Sequence, residues 1–362
     1  MAHTKFPRLF IPGPVECHPD VLKWMGSPSL SHRSGEFREL YTALTGKLKQ
    51  LLFTQGRVFV MTCSGTGAME AAIRNCVQKK VLSTVCGAFS ERWWQMAGEN
   101  GKASDKLEVE WGKAITPELI DAALAKGGYD TVTVVHNESS TGVLNPIAEI
   151  GAMIRKKYPD VLLCVDTVSS MGGTPIKVDE WGLDICLASS QKAWGLPAGI
   201  AICAVSERAL QRAKTTAGRG HYFDLVSFAA SDDKHETPNT PSTSHFVALD
   251  AQCDKIVAEG IENRWARHRR MAETTRAWAK RRFALFAQPG YESVTLTCIT
   301  NTTKFDVEAT LKEMHKRHNL RLANGYGKLK DKTFRIAHMA DVTEAQLAEV
   351  LGWFDAVLDG KK

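Results

Sequence analysis

Short apolar runs punctuate the first two-thirds of the chain: VFVMT (58–62), VLSTV (81–85), TVTVV (131–135), VLLCV (161–165), DICLA (184–188) and GIAICAV (199–205). Most are apolar throughout rather than alternating, the pattern of strands covered on both faces in a mostly parallel sheet. Stretches such as GAMEAAIRNCV and PIAEIGAMIRKKY between them have helical character. Strand and helix in alternation predict an α/β core, a central sheet flanked by helices. From about residue 255 the texture changes. The segment from Asp254 to Phe286 predicts a long helical stretch, with Ile261, Trp265, Ala272 and Ala279 recurring near helical spacing among arginines and lysines. VTLTCIT, a helix around VEATLKEMHKRH, a strand-like KTFRIAHM and a last helix come next. Thr343 and Gln346 form a candidate capping box for that last helix, and Leu347, Leu351, Phe354 and Leu358 its apolar face. The predicted division is an N-terminal segment (1–20), a large α/β domain (21–255) and a small α+β domain (256–362). SDDKHETPNTPSTS (231–244) is expected to be irregular.

Composition narrows the class. A chain of 362 residues with 44% hydrophobic and 24% charged residues is ordinary for a globular protein of more than one core. The excess of base is mild, 46 Lys and Arg against 40 Asp and Glu, which suits anionic small molecules as well as nucleic acid. The basic run NRWARHRRMAETTRAWAKRRF carries no RNA-binding signature and reads as a solvated helix face whose long side chains cover an apolar stripe. No nucleic-acid partner is expected. Nine cysteines, scattered singly from Cys17 to Cys298, show no zinc-ligand spacing. They read as reduced thiols, with no metal site. MAHTKFPRLF lacks an apolar signal region, and no run approaches the length of a membrane span. A cytoplasmic protein with no membrane partner is expected.

In open α/β sheets ligands collect beyond the carboxyl ends of the strands, so the residues just past each apolar run carry the chemistry. After VFVMT comes CSGTGAMEAAI, where Gly65 and Gly67 permit a tight turn into a helix whose free N–H groups suit a phosphate. A plain strand-to-helix turn would look the same. Asp166 ends VLLCV, either as a turn cap or as a carboxylate facing a positive ligand atom. HNESSTG after TVTVV is a polar cluster, and Phe89 comes after VLSTV and a Cys-Gly-Ala turn. Lys192 lies just past the DICLA run in SSQKAWGLPAG, between two segments that both read as buried strands. Each has a plain structural explanation. Together they offer a phosphate cradle, a carboxylate, an aromatic and a lysine, the set that pyridoxal 5′-phosphate needs.

The chain resembles the class V aminotransferases of the fold-type I pyridoxal-phosphate enzymes, with likeness to alanine–glyoxylate and serine–pyruvate or serine–glyoxylate aminotransferases. The resemblance runs from PGP (12–14) to RIAHM (335–339) and is carried by SGTGAMEA (64–71), HNESSTGV (136–143), DTVSSMGG (166–173) and SSQKAWGLPAG, with 26 residues from Asp166 to Lys192. It implies that Lys192 is the covalent anchor of the cofactor and moves the α-proton, and that Asp166 pairs with the pyridinium nitrogen. Phe89 would stack on the ring, Gly65, Thr66 and Gln191 would hold the phosphate, and Ser139 would lie near the ring oxygen. Thr240 and Thr237, in TPNTP, would reach the partner's phosphate across a homodimer with shared active sites. Arg335 would grip the substrate α-carboxylate, which its forked donors match. His32 and Arg33 would lie near the substrate entrance, Arg33 either as a surface arginine or as a reader of a second carboxylate. The implied reaction moves an amino group from a small L-amino acid (alanine, serine or aspartate) to a 2-oxo acid such as glyoxylate or pyruvate.

Other readings stay open on the sequence. A cysteine desulfurase or lyase would need a cysteine on a mobile C-terminal loop, whereas Cys298 lies in the strand-like VTLTCIT and Gln191 stands where those enzymes usually carry histidine. Phosphoserine or 2-aminoethylphosphonate transamination, or a cofactor-binding subunit without turnover, would use many of the same residues.

Overall fold

The computed structural model describes residues 6–360. Seven strands form the central sheet, in the order Arg57–Met61, Ala201–Val205, Ile185–Ser189, Leu162–Asp166, Thr131–Val135, Val81–Val85, Ser104–Glu108. Only Ala201–Val205 runs antiparallel to its neighbours. Six strands match the apolar runs of the sequence, and their buried faces pack into two clusters, one on each side of the sheet. The seventh, Ser104–Glu108, escapes the hydrophobic pattern because it is an edge strand with partly exposed residues. Charges on such an edge keep it from pairing with other chains.

This topology sends Thr62–Gly65, Cys86–Phe89, His136–Ser139, Asp166 and Gln191–Lys192 out of one edge, since all lie at or just past the carboxyl ends of parallel strands. The antiparallel return of Ala201–Val205 starts from that same edge, through the loop that carries Lys192.

A second, four-stranded antiparallel sheet has the order Ala284–Leu285, Leu296–Thr300, Thr333–Ala337, Ala323–Asn324. Its core of Phe283, Phe334, Phe354, Leu347 and Trp278 is covered by helices Ile261–Lys280, Val307–His318 and Glu344–Leu358. The capping box forms: Thr343 accepts from the Gln346 N–H, and the Gln346 side chain accepts from the Thr343 N–H. The long helical stretch expected from residue 254 is interrupted. Helix Thr243–Glu259 ends at Gly260 (φ 81°), and Ile261–Lys280 starts there as a separate helix. A positive φ is a conformation that glycine adopts freely. The basic run is not wholly a solvated face either. Arg264 is fully buried, pairs with Glu259 and Asp341, and donates to the carbonyls of Gly172 and Ala193. It thereby ties this helix to the residue beside Lys192.

The N-terminal segment straps the two sheets together. Arg8–Leu9 pairs in parallel with Leu320–Arg321, Phe10 enters the second core, and the Val15 N–H donates to the Gln191 carbonyl at 3.0 Å. Among the described residues, no helix is long and apolar enough to cross a membrane.

Candidate active site

Two cavities meet at Phe89 and Lys192. The inner one, about 140 Å³, is lined by Gly65, Thr66, Phe89, Ser139, Asp166, Gln191 and Lys192, joined by Arg92, Asn137 and Val168. The outer one, about 540 Å³, runs from Lys192 and Phe89 past Tyr326 to Arg335 and Arg321. Seven residues expected at a cofactor site from the sequence thus share one cavity, and Arg335 shares the next.

Asp166 is 5% exposed, and its Oδ1 accepts from the Val168 N–H at 2.7 Å. Burial pushes its carboxyl up to about 7, against that hydrogen bond and the attraction of Lys192 and Arg92, with Glu138 adding to the rise. A carboxylate held there is short of a cation. Lys192 shows the reverse displacement: burial brings its ammonium down to about 8, opposed by Asp166 and assisted by Arg335. Lys192 Nζ donates to the Pro12 carbonyl. Gly13 (φ 111°) lies so close that a Cβ there would sit 2.7 Å from Nζ, so the PGP turn forms one wall of the lysine slot.

Helix Gly65–Cys76 points its N-terminus into the inner cavity, and Ser64 gives it no side-chain cap. The Gly67 and Ala68 N–H groups donate to the Ser64 carbonyl, which leaves the Thr66 N–H for another acceptor. The Gly65 N–H donates to Ser189 Oγ, which donates onward to Gln191 Oε1. A Cβ at Gly65 would meet Val168 Cγ2 at 2.7 Å, so glycine keeps this corner open. The Ser139 hydroxyl donates to Ser169 Oγ at 2.6 Å.

Arg335 is 7% exposed, on the strand Thr333–Ala337. Its guanidinium donates to the carbonyls of Asn324 and Ser139 and makes no ion pair among the described residues. A buried cation held by carbonyls alone suits an incoming carboxylate.

Three contributors were not singled out in the sequence. Glu138, fully buried, accepts from the N–H groups of Phe89, Ser90 and Ser140 and from the hydroxyls of Ser90 and Ser140. It caps helix Ala88–Glu99 and so fixes Phe89. Arg92 lies three residues beyond Phe89, on the same helix face, 5.2 Å from the Phe89 ring, and donates to the Tyr326 hydroxyl. Tyr326 packs on Phe89 at 5.2 Å and lies 5.6 Å from the Arg335 guanidinium carbon, bridging the two sheets' domains. The helical spacing of Arg92 was readable; Glu138 and Tyr326 depend on contacts far along the chain.

Four expected residues lie elsewhere within this chain. Arg33 is exposed, pairs with Glu236 at 3.0 Å and donates to the Thr237 carbonyl. His32 beside it, and Thr237 and Thr240, line neither cavity. The two threonines sit near Thr62 and Tyr222 instead. His136, in the polar cluster after TVTVV, turns away from Lys192 and packs edge-on against Trp181. Cys298 is 3% exposed on a strand, its thiol pushed up to about 11 by burial.

The set fits pyridoxal 5′-phosphate. A protonated ring nitrogen would supply the cation Asp166 lacks, a phosphate would take the free N–H group of Thr66 beside the Gly65–Ser189 contact, and an aldehyde would meet a lysine whose amine is half neutral near pH 8.

Comparison with known proteins agrees. The profile of the family Aminotransferase class-V matches residues 18–323. The chain is 38% identical to an uncharacterized aminotransferase of Methanocaldococcus jannaschii, covering 97% of this chain and 92% of that one. It is 34% identical to the L-aspartate–glyoxylate aminotransferase of Paracoccus denitrificans, over 93% and 87% of the two chains. The solved alanine–glyoxylate aminotransferase of Nostoc superposes with a TM-score of 0.92 at 28% identity, covering 98% and 95%. A lysine, a buried acid and an open helix end at one sheet edge, in a chain of this descent, mark a member of the class V aminotransferase family of pyridoxal-phosphate transaminases.

Proposed function

We propose that this aminotransferase holds pyridoxal 5′-phosphate in the inner cavity and transfers an amino group from a small L-amino acid (alanine, serine or aspartate) to a 2-oxo acid such as glyoxylate or pyruvate. The observation that carries this reading is the shared position of Lys192: it closes the inner cavity, with Asp166 and the open helix end, and opens the outer one, with Arg335.

The bound cofactor would supply an electron sink, weakening a bond at the substrate α-carbon. The chain's own residues do the rest. Gly65, Thr66 and Gln191 would hold the phosphate, Phe89 would cover the ring, and Ser139 would serve its ring oxygen. Asp166 holds the proton on the ring nitrogen. Lys192 would hold the cofactor through its aldehyde, and the free Nζ would carry a proton from and back to the substrate α-carbon. Arg335 fixes the α-carboxylate, which sets the α-hydrogen against Lys192. Tyr326 and Phe89 narrow the passage between the cavities and exclude water.

The active unit is a homodimer in this reading. The exposed apolar side chains of Leu22, Trp24 and Tyr222 offer surface that such an interface would cover. Thr237 and Thr240, outside the cavities of their own chain, would serve the partner's phosphate, with His32 and Arg33 near its entrance. Free cysteines, seven of nine buried, suit a reducing cytoplasm.

The test is a donor-by-acceptor screen with Lys192→Ala as control. The native protein should show a borohydride-reducible visible chromophore and transaminate; the variant should show neither. A variant that keeps the reducible adduct would sink the assignment of Lys192.

A further inference from the structure

We infer that Arg321 reads a second carboxylate on the substrate side chain, so that the outer cavity favours dicarboxylic amino acids of the aspartate or glutamate kind. The inference rests on the reading of Lys192 and Arg335 above and names the side-chain subsite of that same cavity.

Leu320 and Leu322 are buried in the second core, while Arg321 is exposed and Ala323 half-buried, so Arg321 and Ala323 share the opposite face. Ala323 pairs directly with Arg335. Arg321 lies two residues earlier in a separate short strand, parted from Thr333–Ala337 by Phe10, whose N–H donates to the Arg321 carbonyl and whose carbonyl accepts from the Ala337 N–H. Arg321 and Arg335 both line the outer cavity.

The second observation is electrostatic. The outer cavity is lined by Lys192, Arg321 and Arg335 and by no acidic residue. Among the described residues the Arg321 side chain makes no hydrogen bond and no ion pair, although its strand neighbour Arg8 pairs with Glu349. Its other neighbours, Leu9, Ile11 and Pro12, are apolar. An amino acid with its α-carbon at Lys192 and its α-carboxylate on Arg335 therefore directs its side chain along an apolar wall that ends in one free guanidinium. A methyl or hydroxymethyl group leaves that cation unmatched. A carboxylate gains a charge-assisted pair in its forked geometry. Arg33, the other candidate for this role, already holds Glu236.

The experiment uses the holoenzyme of the native chain, Arg321→Gln and Arg321→Glu. Steady-state rates are measured with L-aspartate, L-glutamate, O-phospho-L-serine, L-alanine and L-serine at fixed glyoxylate. Succinate and propanoate, which cannot be transaminated, are titrated by calorimetry. Arg321→Gln should lower kcat/KM for aspartate or glutamate by ~10- to 100-fold. It should leave alanine and serine within about 2-fold, and should erase the native preference for succinate over propanoate. Arg321→Glu should lower the dicarboxylic donors further. An unchanged aspartate-to-alanine ratio in both variants overturns the inference, as does a native enzyme that binds succinate no better than propanoate. A loss confined to phosphoserine overturns the carboxylate assignment. Failure of the proposed reaction looks different: no donor of either kind would turn over, while succinate would still bind through Arg321.

Discussion

Asp166 and Lys192 are displaced toward each other in acidity, one up to about 7 and the other down to about 8, and burial is the leading cause of both. For Asp166, folded above its ordinary value, the sign is fixed. Its contribution to stability is fully present below about 3.8 and is lost as pH rises through about 7. Cofactor-free Asp166→Asn should therefore melt higher than the cofactor-free native chain at pH 8, with the gap closing below pH 4. Calorimetry across that range checks it, and equal melting at pH 8 would refute it. With cofactor present the order should reverse, because the asparagine cannot hold the ring proton. Lys192 yields a kinetic counterpart. The rate at which the apoprotein captures the aldehyde, followed by absorbance, should rise with pH and reach half its maximum near 8. Positions of both residues were legible from strand ends. The displacements were not, because burial depends on the Pro12–Gly13 turn lying over Lys192, from a distant part of the chain.

At the scale of elements, the site is held by the starts of two helices. Glu138 closes one, and the absence of a cap leaves the other open. Glu138→Gln puts an amide against donors that need an acceptor. It should cost about 3 kcal/mol in urea unfolding and blur the position of Phe89, seen as weaker cofactor affinity. Gly65→Ala places a methyl 2.7 Å from Val168 Cγ2. It should raise the cofactor dissociation constant ~10-fold or more, for a stability loss of about 1–3 kcal/mol; equilibrium dialysis and unfolding separate the two effects. The sequence pattern marked the helix at Gly65 because strand, glycine turn and apolar periodicity come in order. It missed the strand Ser104–Glu108, where edge position replaces apolar residues with charge, and the break at Gly260, where one glycine outweighs continuous periodicity.

For the whole molecule, one contact that joins the two sheets beside the active lysine is Arg264. Burial alone would raise Asp341, yet Arg264 and Lys255 hold it down to about 2. Arg264→Met leaves Glu259 and Asp341 short of their cation and the Ala193 carbonyl unpaired. Stability should fall by about 3–5 kcal/mol, and capture of the cofactor by Lys192 should slow, both readable on the purified apoprotein. A loss of stability with unchanged capture would show that the tie serves the fold alone. The basic run gave no hint of this, since a buried arginine and its solvated neighbours look alike until the helix has a face to press against.

The N-terminal strap also sets an order in time. Arg8–Leu9 finds its partner only at Leu320–Arg321, 312 residues later. At about 5–20 residues per second of synthesis, those first residues wait roughly 15–60 s on the ribosome. Until the second sheet is translated, the Pro12–Gly13 wall is held against Lys192 only by its own contacts at Pro12 and Val15, without the anchor at Leu320–Arg321. Firm retention of a cofactor is then expected only after Leu320–Arg321 has been made. A nascent chain stalled before residue 320 should fold its central sheet and yet retain no reducible cofactor.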